Sequence, residues 1–505
     1  MDEALGLVER VLGGNGRFHR ARHLKIALLR HLNQSKAALT TIKESLNIDK
    51  MEYGTLWEKH LLTGEATFVQ ITKLNTNTLI ELAIDYAHAG LFSNAITLLN
   101  QAIHITPMVK YTLGWIYAQS GDAENALAAF AEAAALPPDY CFPNRLEDVL
   151  SLTTAREMNP KDARAPYYLG NFWYAHRRYD EAIAAWEQSR TLDDQFATVH
   201  RNLALAYTNK LDDPQLAVSS LETAFALNLN DARVLFELDQ LYKKLNRPAL
   251  ERLALLEQYE SLVEQRDDLT IERITLLNLL QRPDEALQLL LNRNFHPWEG
   301  GEGKVTRQYV LSLVALARAC IENEGWETAV THLTAAQTYP HNLGEGKLHG
   351  AQENDIFYYL GCAYEGLGDD EQVKAWFEKT AVGLSEPTSA MFYNDQPPDM
   401  IFYQGMARLK LGQTAAATAI FQKLIDYGNT HLNDDVQIDY FAISLPTFLV
   451  FEEDLNLSNR IHCHYMMALG CTGLGKAKIA QSHFAEVLNL DTNHLGAVLH
   501  QALLK

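Results

Sequence analysis

Residues Lys110 to Pro138 read KYTLGWIYAQSGDAENALAAFAEAAALPP, and this stretch decides the fold. Apolar and small residues recur every three or four positions on both sides of a glycine, which is the spacing of a helical face. The turn falls at Gly121, and the recurring positions are Leu113, Gly114, Tyr117, Ala126, Phe130 and Ala133. Small residues let two helices cross closely, while the aromatic residues fill the space beside the crossing. The stretch predicts an antiparallel helix pair.

The same pattern returns along the chain, and its spacing resembles the tetratricopeptide repeat, a pair of helices designated A and B. Good copies place an alanine and an aromatic or leucine four residues later on helix B, as in Ala95/Leu99, Ala182/Trp186 and Ala217/Leu221. Weaker copies continue at Ala286, Ala329, Ala417 and Ala480. No run of alternating strands is visible. The prediction is an all-α tetratricopeptide-type solenoid, a right-handed superhelix of ten or eleven antiparallel pairs.

Changes in the repeat period divide the sequence into three parts. Residues 1–75 form degenerate repeats, residues 76–295 form regular repeats with an inserted helix at 140–161, and residues 296–505 form divergent repeats with longer loops. Extra helices are also expected within 46–75 and 432–457. The helix B pattern at Ala4 and Val8 has no helix A before it, which indicates an array that begins in the middle of a repeat.

Composition and charge restrict the functional classes. The 505 residues carry 43 basic and 63 acidic side chains, a net charge of −20 that disfavours nucleic acid as a partner. Neither a signal peptide nor an apolar run of membrane-spanning length is visible. Five scattered cysteines without a C-x-x-C pair favour free thiols in a reducing compartment. A cytoplasmic protein without a membrane segment is expected.

Two glycine-rich segments share the sequence GEGK, at 301–304 within HPWEGGEGKV and at 344–347. Neither fits a phosphate-binding Walker A loop, which needs a glycine five residues before Gly-Lys and Ser or Thr after it. Two interpretations stay open: tight turns after a helix B, or paired binding loops. The candidate binding residues are His296, Trp298, Glu299, Glu302, Lys304, Glu345, Lys347, Glu353 and Asp355. Capping of the next helix is the structural alternative for Glu353 and Asp355.

Both loops follow the B helices of adjacent repeats, so they are expected to emerge on the same edge of the solenoid. Helices pack about 8–10 Å apart, so equivalent points in adjacent repeats lie within roughly 20 Å. The two loops then form a shared surface with Trp298 as its apolar anchor.

A second candidate surface is the groove formed by the A helices. Its residues are Tyr167, Asn171, Tyr174 and Arg201. Asn171 and Arg201 are suggestive of a clamp for a C-terminal carboxylate, but Tyr167 and Leu205 stand where such a clamp needs lysine and asparagine. Packing within the repeats is the alternative role of the tyrosines.

No catalytic, cofactor or metal site is predicted. The run His462-Cys463-His464 lies consecutively on a predicted helix, so its side chains fan over about 200° and cannot converge on one ion. The sequence shows no nucleophile–base pair, and its carboxylates are dispersed over helix surfaces.

Several segments together resemble one bacterial family. They are 140–152 (YCFPNRLEDVLSL), 163–187, 202–217, 229–257, 292–305 (NRNFHPWEGGEGKV) and 343–355 (LGEGKLHGAQEND). The set resembles the C-terminal repeat region of bacterial tetratricopeptide proteins that carry an N-terminal β-sandwich similar to galactose mutarotase. The resemblance covers nearly the whole chain but does not include the sandwich. It implies that the chain is the C-terminal part of a larger protein.

The expected function is a non-catalytic interaction scaffold that binds a protein partner or its own N-terminal domain. The alternative is a part of a carbohydrate-active or carbohydrate-binding protein with a sugar site at the GEGK loops. Only Trp298, an aromatic residue close to several carboxylates, favours that alternative.

Overall fold

A computed structural model describes residues 1–66, 75–298, 300–389, 396–437 and 450–504. The regular secondary structure of these residues is helical. Packing divides the chain into two compact units, Met1–Ala206 and Tyr207–Lys505. The helices of the first unit are α1 (Asp2–Gly14), α2 (His19–His31), α3 (Ser35–Ile48), α4 (Tyr53–Thr63), α5 (Thr76–His88), α6 (Phe92–Leu99), α7 (Pro107–Gln119), α8 (Ala123–Ala135), α9 (Leu146–Met158), α10 (Arg164–Ala175) and α11 (Tyr179–Leu192).

Helix α12 (Ala197–Lys210) spans the boundary. The second unit continues with α13 (Pro214–Leu227), α14 (Ala232–Lys244), α15 (Ala249–Gln258), α16 (Glu260–Val263), α17 (Asp267–Leu279), α18 (Pro283–Leu291), α19 (Lys304–Glu322), α20 (Trp326–Ala336), α21 (Asn354–Leu367), α22 (Asp370–Thr380), α23 (Pro398–Lys410), α24 (Thr414–His431), α25 (Leu455–Gly473), α26 (Ala477–Leu490) and α27 (Leu495–Gln501). Short 3₁₀ helices are His341–Leu343 and Ala502–Leu504.

The helices form the predicted antiparallel pairs. Four pairs lie in the first unit (α2/α3, α5/α6, α7/α8, α10/α11) and six in the second (α14/α15, α17/α18, α19/α20, α21/α22, α23/α24, α25/α26). Together with α12 and α13, which follow each other along the chain, this agrees with the expected ten or eleven. In the described ranges, no helix combines the length and apolar character needed to cross a bilayer.

Each of these ten pairs reverses direction at a residue with positive φ. Five are glycines (Gly90, Gly121, Gly368, Gly412 and Gly475), and five are not (Asn33, Arg177, Asn246, Gln281 and Glu324). A left-handed residue ends helix A and turns the chain into helix B within a few residues. Glycine marks this position without strain, so the pairs that lack it have the weaker sequence signal.

Small residues at the helix crossings have the role that the sequence predicted. A Cβ on Gly114 would lie 2.4 Å from the ring of Phe130, and a Cβ on Gly170 would lie 2.4 Å from the ring of Trp186. Gly361 and Gly405 meet Phe377 and Phe421 in the same way. The aromatic ring of helix B therefore packs directly on the backbone of helix A, and this contact repeats along the chain.

We expect Ala126→Leu to destabilise the α7/α8 pair by about 1–3 kcal/mol, because the extra carbons enter a crossing that has no free volume. Ala126 is fully buried beside Phe130. The urea midpoint of the chain measures the change. An unchanged midpoint would show that this position does not face the crossing.

Insertions and deletions account for the irregular repeat periods. Helix α9 occupies the stretch 140–161, and α4 occupies part of 46–75. The short spacing between Ala95 and Ala126 reflects α6, which has eight residues where most helices of this unit have at least eleven. The helix expected within 432–457 falls mainly on residues 438–449, outside the described residues. The three-part division by repeat type stays a prediction, since the two compact units reflect packing instead.

Candidate functional site

The first GEGK loop begins where α18 ends and is anchored to the start of α17. Asp267 accepts hydrogen bonds from the Arg293 side chain (2.7 Å) and from the backbone N–H of His296 (2.9 Å). The imidazole of His296 is itself exposed. Two glycines with positive φ, Gly300 and Gly303, then turn the chain into α19. Glu299 lies outside the described residues.

Trp298 packs on its own loop. A Cβ on Gly301 would lie 2.0 Å from the indole, so the ring rests directly on the Gly301 backbone. The side chain remains partly exposed while Gly301 is buried. The loop backbone therefore supports a large aromatic side chain that stays partly accessible to solvent.

The second loop follows α20 and packs against the first. The Phe295 N–H donates to the Asn342 carbonyl (2.8 Å), and the Asn342 amide donates to the carbonyls of Leu290 (2.8 Å) and Arg293 (2.7 Å). A Cβ on Gly344, whose φ is 78°, would lie 2.5 Å from the Phe295 carbonyl oxygen. The two loops thus lie side by side, as expected from their positions in adjacent repeats.

A carboxylate joins the two GEGK segments. Both oxygens of Glu345 accept from the backbone N–H of Gly303, at 3.2 and 3.0 Å, and Thr306 lies 3.5 Å from one of them. Gly303 caps the N-terminus of α19, where free N–H groups and the helix dipole attract an anion. The first GEGK segment therefore binds an anionic group, and this group is the Glu345 carboxylate of the second GEGK segment. Burial raises the pKa of Glu345, whereas the hydrogen bond from the Gly303 N–H lowers it by stabilising the carboxylate.

The remaining charges of the second loop are also engaged. Lys347 forms an ion pair with Glu353 (2.6 Å) and donates to the Gln337 carbonyl (3.1 Å). Helix α21 begins after Glu353 without a side-chain cap, so the capping role considered for this residue is not what the structure shows. Asp355 is buried in the first turn, where it accepts from the Ile356 N–H. Burial raises the pKa of Asp355 to about 7, and the charge of Asp399 adds to this shift.

The side chains of three candidate residues take no part in the described hydrogen bonds that join the two loops. Trp298 is partly exposed, Glu302 forms no ion pair with described residues, and Lys304 is exposed at the start of α19. Desolvation by the surrounding protein lowers the pKa of the Lys304 ammonium. The charge of Glu272 raises this pKa, whereas the charge of Lys243 lowers it further. We define Trp298, Glu302 and Lys304 as the loop surface.

The candidate groove of the first unit is held by repeat packing. Tyr167 is buried against Phe196. The carbonyl oxygen of the Asn171 side chain accepts from the Trp186 indole and from the Asn202 amide, both at 3.1 Å. The ring of Tyr174 packs on that of Trp186, and Arg201 donates to the Asn202 side chain. These contacts lie within the α10/α11 pair, within α12, and between that pair and the segment that begins the next repeat. They are consistent with the packing role that the sequence left open for the tyrosines.

Sequence reasoning missed the contact between the C-terminal helix α27 and the A helices of the second unit. His500 is buried, with its Nε2 3.1 Å from the Tyr403 hydroxyl and its Nδ1 3.0 Å from the Tyr465 hydroxyl. Tyr359 extends this chain to Tyr403 (3.2 Å), and Arg318 donates to the Leu499 carbonyl (3.4 Å). Helix α27 therefore covers A-helix surface within its own unit.

The segment before α27 is also tied to distant helices of the second unit. The Asn246 side chain bonds the backbone of Leu490 (3.0 Å) and Thr492 (3.0 Å), and Arg252 donates to the Asn493 side chain (2.8 Å). The one available signal was that Tyr359 and Tyr403 occupy equivalent positions in adjacent repeats. Two tyrosines alone do not reveal that a helix more than 90 residues later packs on them.

The run His462-Cys463-His464 is divided among separate contacts. His462 bonds the Thr388 carbonyl (2.8 Å), Cys463 is buried near Asn459, and His464 lies 3.0 Å from His483. The side chains diverge around α25, as helical geometry requires for consecutive residues.

Comparison with known proteins agrees with this architecture. A tetratricopeptide repeat model matches residues 80–140 and 150–195, and another matches residues 399–427. The chain therefore contains tetratricopeptide repeats, and its fold is an all-α solenoid of the tetratricopeptide type.

Three solved structures illustrate what the chain is similar to. They include PilF of Pseudomonas aeruginosa (20% identity, 43% of this chain and 89% of that chain, TM-score 0.25) and MamA of MSR-1 (18% identity, 38% and 98%, TM-score 0.22). YrrB, described as a TPR protein with an unusual peptide-binding site, matches at 15% identity over 45% and 95%, with a TM-score of 0.18.

Proposed function

We propose that this chain is a non-catalytic interaction scaffold of the cytoplasm and the C-terminal part of a larger bacterial protein. It binds a protein partner or the β-sandwich domain of the family that it resembles. The partner docks on the loop surface, with Trp298 as its apolar anchor and with Glu302 and Lys304 as polar contacts.

The joint between the two GEGK loops is the observation that carries this proposal. Glu345 fixes the start of α19, and Asn342 fixes the end of α18, so the segment that bears Trp298 is held at both ends. Rigid, partly exposed aromatic residues lose little conformational entropy on binding and are enriched among the residues that dominate interfaces. A fixed tryptophan beside the Glu302 carboxylate and the Lys304 ammonium supports a specific protein contact.

Helix α27 covers A-helix surface in the second unit, and this also favours the loop surface as the docking site. Peptides commonly bind to the groove of a helical repeat array, but α27 already contacts α23 and α25 through His500. The loop surface stays accessible while α27 is in place. A partner can therefore bind there without displacing any part of the chain.

Photo-crosslinking in the native cell tests the proposal. A photoreactive phenylalanine replaces Trp298 in one variant and Phe142, which is 72% exposed in the first unit, in a matched control. We expect one discrete adduct from position 298 that is absent from position 142 and is lost when Lys304→Glu is added. Random or identical adducts from both positions would contradict the proposal.

Thermal-shift measurements with a panel of sugars test the carbohydrate alternative. A sugar that raises the unfolding temperature of the wild-type chain, but not that of Trp298→Ala, would assign the loop surface to carbohydrate and overturn the protein-docking role.

A further inference from the structure

Helix α27 lies on the A helices of the second unit in the way that a bound ligand would. Four successive A helices each contribute one side chain to the hydrogen bonds that hold it. These side chains are Arg318 of α19, Tyr359 of α21, Tyr403 of α23 and Tyr465 of α25. Helix α27 therefore belongs to none of the ten pairs and rests on a surface that several repeats form together.

The position of His500 on this surface requires a side chain that both donates and accepts. Its Nδ1 lies 2.8 Å from the Gly496 carbonyl oxygen, which can only accept, so Nδ1 carries the proton. Burial lowers the pKa of His500 and keeps the imidazole neutral, so its Nε2 accepts from the Tyr403 hydroxyl (3.1 Å). The Tyr403 oxygen in turn accepts from Tyr359 (3.2 Å). Lysine and arginine only donate, so neither could complete this chain of hydrogen bonds.

Two small residues let α27 approach the A helices closely. A Cβ on Gly496 would lie 2.6 Å from the hydroxyl oxygen of Tyr465, so a larger residue at this position collides with α25. Ala497, the next residue, is fully buried. His494 accepts from the Ala497 N–H (3.0 Å), and its ring packs on that of Tyr465 at a centroid distance of 4.7 Å. The surface therefore recognises the pattern His-x-Gly-Ala-x-x-His at 494–500.

The contact is specific, but it buries few apolar groups of α27. Ala497 and His500 are the buried residues of this helix, whereas α26 buries Ala480, Phe484 and Val487. Elements with few buried apolar contacts open locally at less than the free energy of global unfolding. Release of α27 also leaves no large penalty behind, because the uncovered tyrosine hydroxyls then bond to water. Helix α27 can therefore leave the surface while the repeats stay folded.

We propose that the A-helix surface of α19, α21, α23 and α25 is a docking site for a helical segment of a protein partner, and that α27 is the internal ligand which this segment displaces. The partner helix carries two adjacent small residues and, after two more positions, a histidine, as Gly496, Ala497 and His500 do in this chain. Until such a helix binds, α27 keeps the surface closed. None of the side chains of this site belongs to the loop surface.

Exchange of α27 for the same helix in trans tests the proposal on the complete chain. The probe is a fluorescein-labelled peptide of residues 490–504, and the chain is opened by Gly496→Val or, independently, by Ala497→Asp. We expect fluorescence anisotropy to show at least about tenfold tighter binding to both opened chains than to the wild type, where the tethered α27 competes at an effective concentration in the millimolar range.

Two controls accompany this experiment. Gly6→Val is the matched chain variant, since a Cβ on Gly6 meets nothing within 4 Å, and it should behave as the wild type. A peptide that itself carries Gly496→Val should bind none of the chains.

Three outcomes would overturn the proposal. If neither opened chain binds the peptide, the surface does not accept a helix in trans. Equal binding to the wild type and to the opened chains would place the peptide elsewhere. Amide hydrogen exchange over 495–501 that stays as slow in both opened chains as in the wild type would show that the contact does not require small residues. These measurements do not involve Trp298, so their failure leaves the adduct at position 298 unaffected and the two proposals fail independently.

Discussion

An Arg252→Met variant is expected to lose about 3–5 kcal/mol of unfolding free energy, because it leaves the buried carboxylate of Asp239 without its ion-pair partner. Arg252 is 1% exposed and donates to both oxygens of Asp239, at 2.9 and 2.7 Å, and to Glu272 at 3.3 Å. Asp239 is fully buried, and burial raises its pKa against the effect of Arg252. Methionine keeps the apolar stem of the side chain but removes the positive charge.

The same variant should loosen the C-terminal segment, since Arg252 also holds Asn493. Urea denaturation measures the stability loss, and hydrogen exchange over 491–501 measures the loosening. A double variant, Arg252→Met with Asp239→Leu, replaces the pair with apolar side chains and should recover much of the stability. A wild-type midpoint for the single variant, or no recovery in the double variant, would show that this ion pair does not stabilise the second unit.

The Asp355→Asn variant is expected to become more stable relative to the wild type as the pH rises. Burial raises the pKa of Asp355 to about 7, so the folded chain keeps a proton that the unfolded chain releases near pH 4. The stabilising effect of that proton is complete below about pH 4 and is lost as the pH rises to about 7. Asparagine does not titrate, so its advantage grows across this window, by on the order of 4 kcal/mol at most.

Urea midpoints between pH 4 and pH 8 test this expectation. Asp370→Asn is the matched control, since Asp370 occupies the first turn of the next helix and is exposed. Its stability difference from the wild type should be flat across the window. A flat difference for Asp355→Asn as well would show that folding does not raise the pKa of Asp355.

Much of the fold could be predicted because its packing depends on neighbours in the sequence. The glycine and aromatic positions of each pair lie within one repeat, as Gly114 and Phe130 do, so their spacing is visible in the chain. The turns at Arg177, Gln281 and Glu324 have no clear sequence signal, because these residue types have no special preference for the left-handed conformation that they adopt there.

The candidate site was less predictable because its contacts join residues far apart in the chain. The repeat period placed both GEGK loops on one edge, but it could not show that Glu345 binds the N–H of Gly303. That bond removes Glu345 from the set of free ligands, and the pair of Lys347 with Glu353 removes two more. The contacts of His500 and Arg252 depend on how successive repeats stack, which no local spacing records.

The affinity of the partner captured at position 298 is the most direct measure of the scaffold role. Calorimetry would compare the wild-type chain with a Trp298→Ala, Lys304→Ala double variant and with Phe142→Ala as control. Loss of an aromatic anchor costs about 2 kcal/mol or more, so we expect affinity to fall by at least about 30-fold in the double variant only. Lys304→Glu, which keeps the tryptophan, should also weaken binding. Wild-type affinity in the double variant would contradict the account and leave the GEGK loops as structural turns.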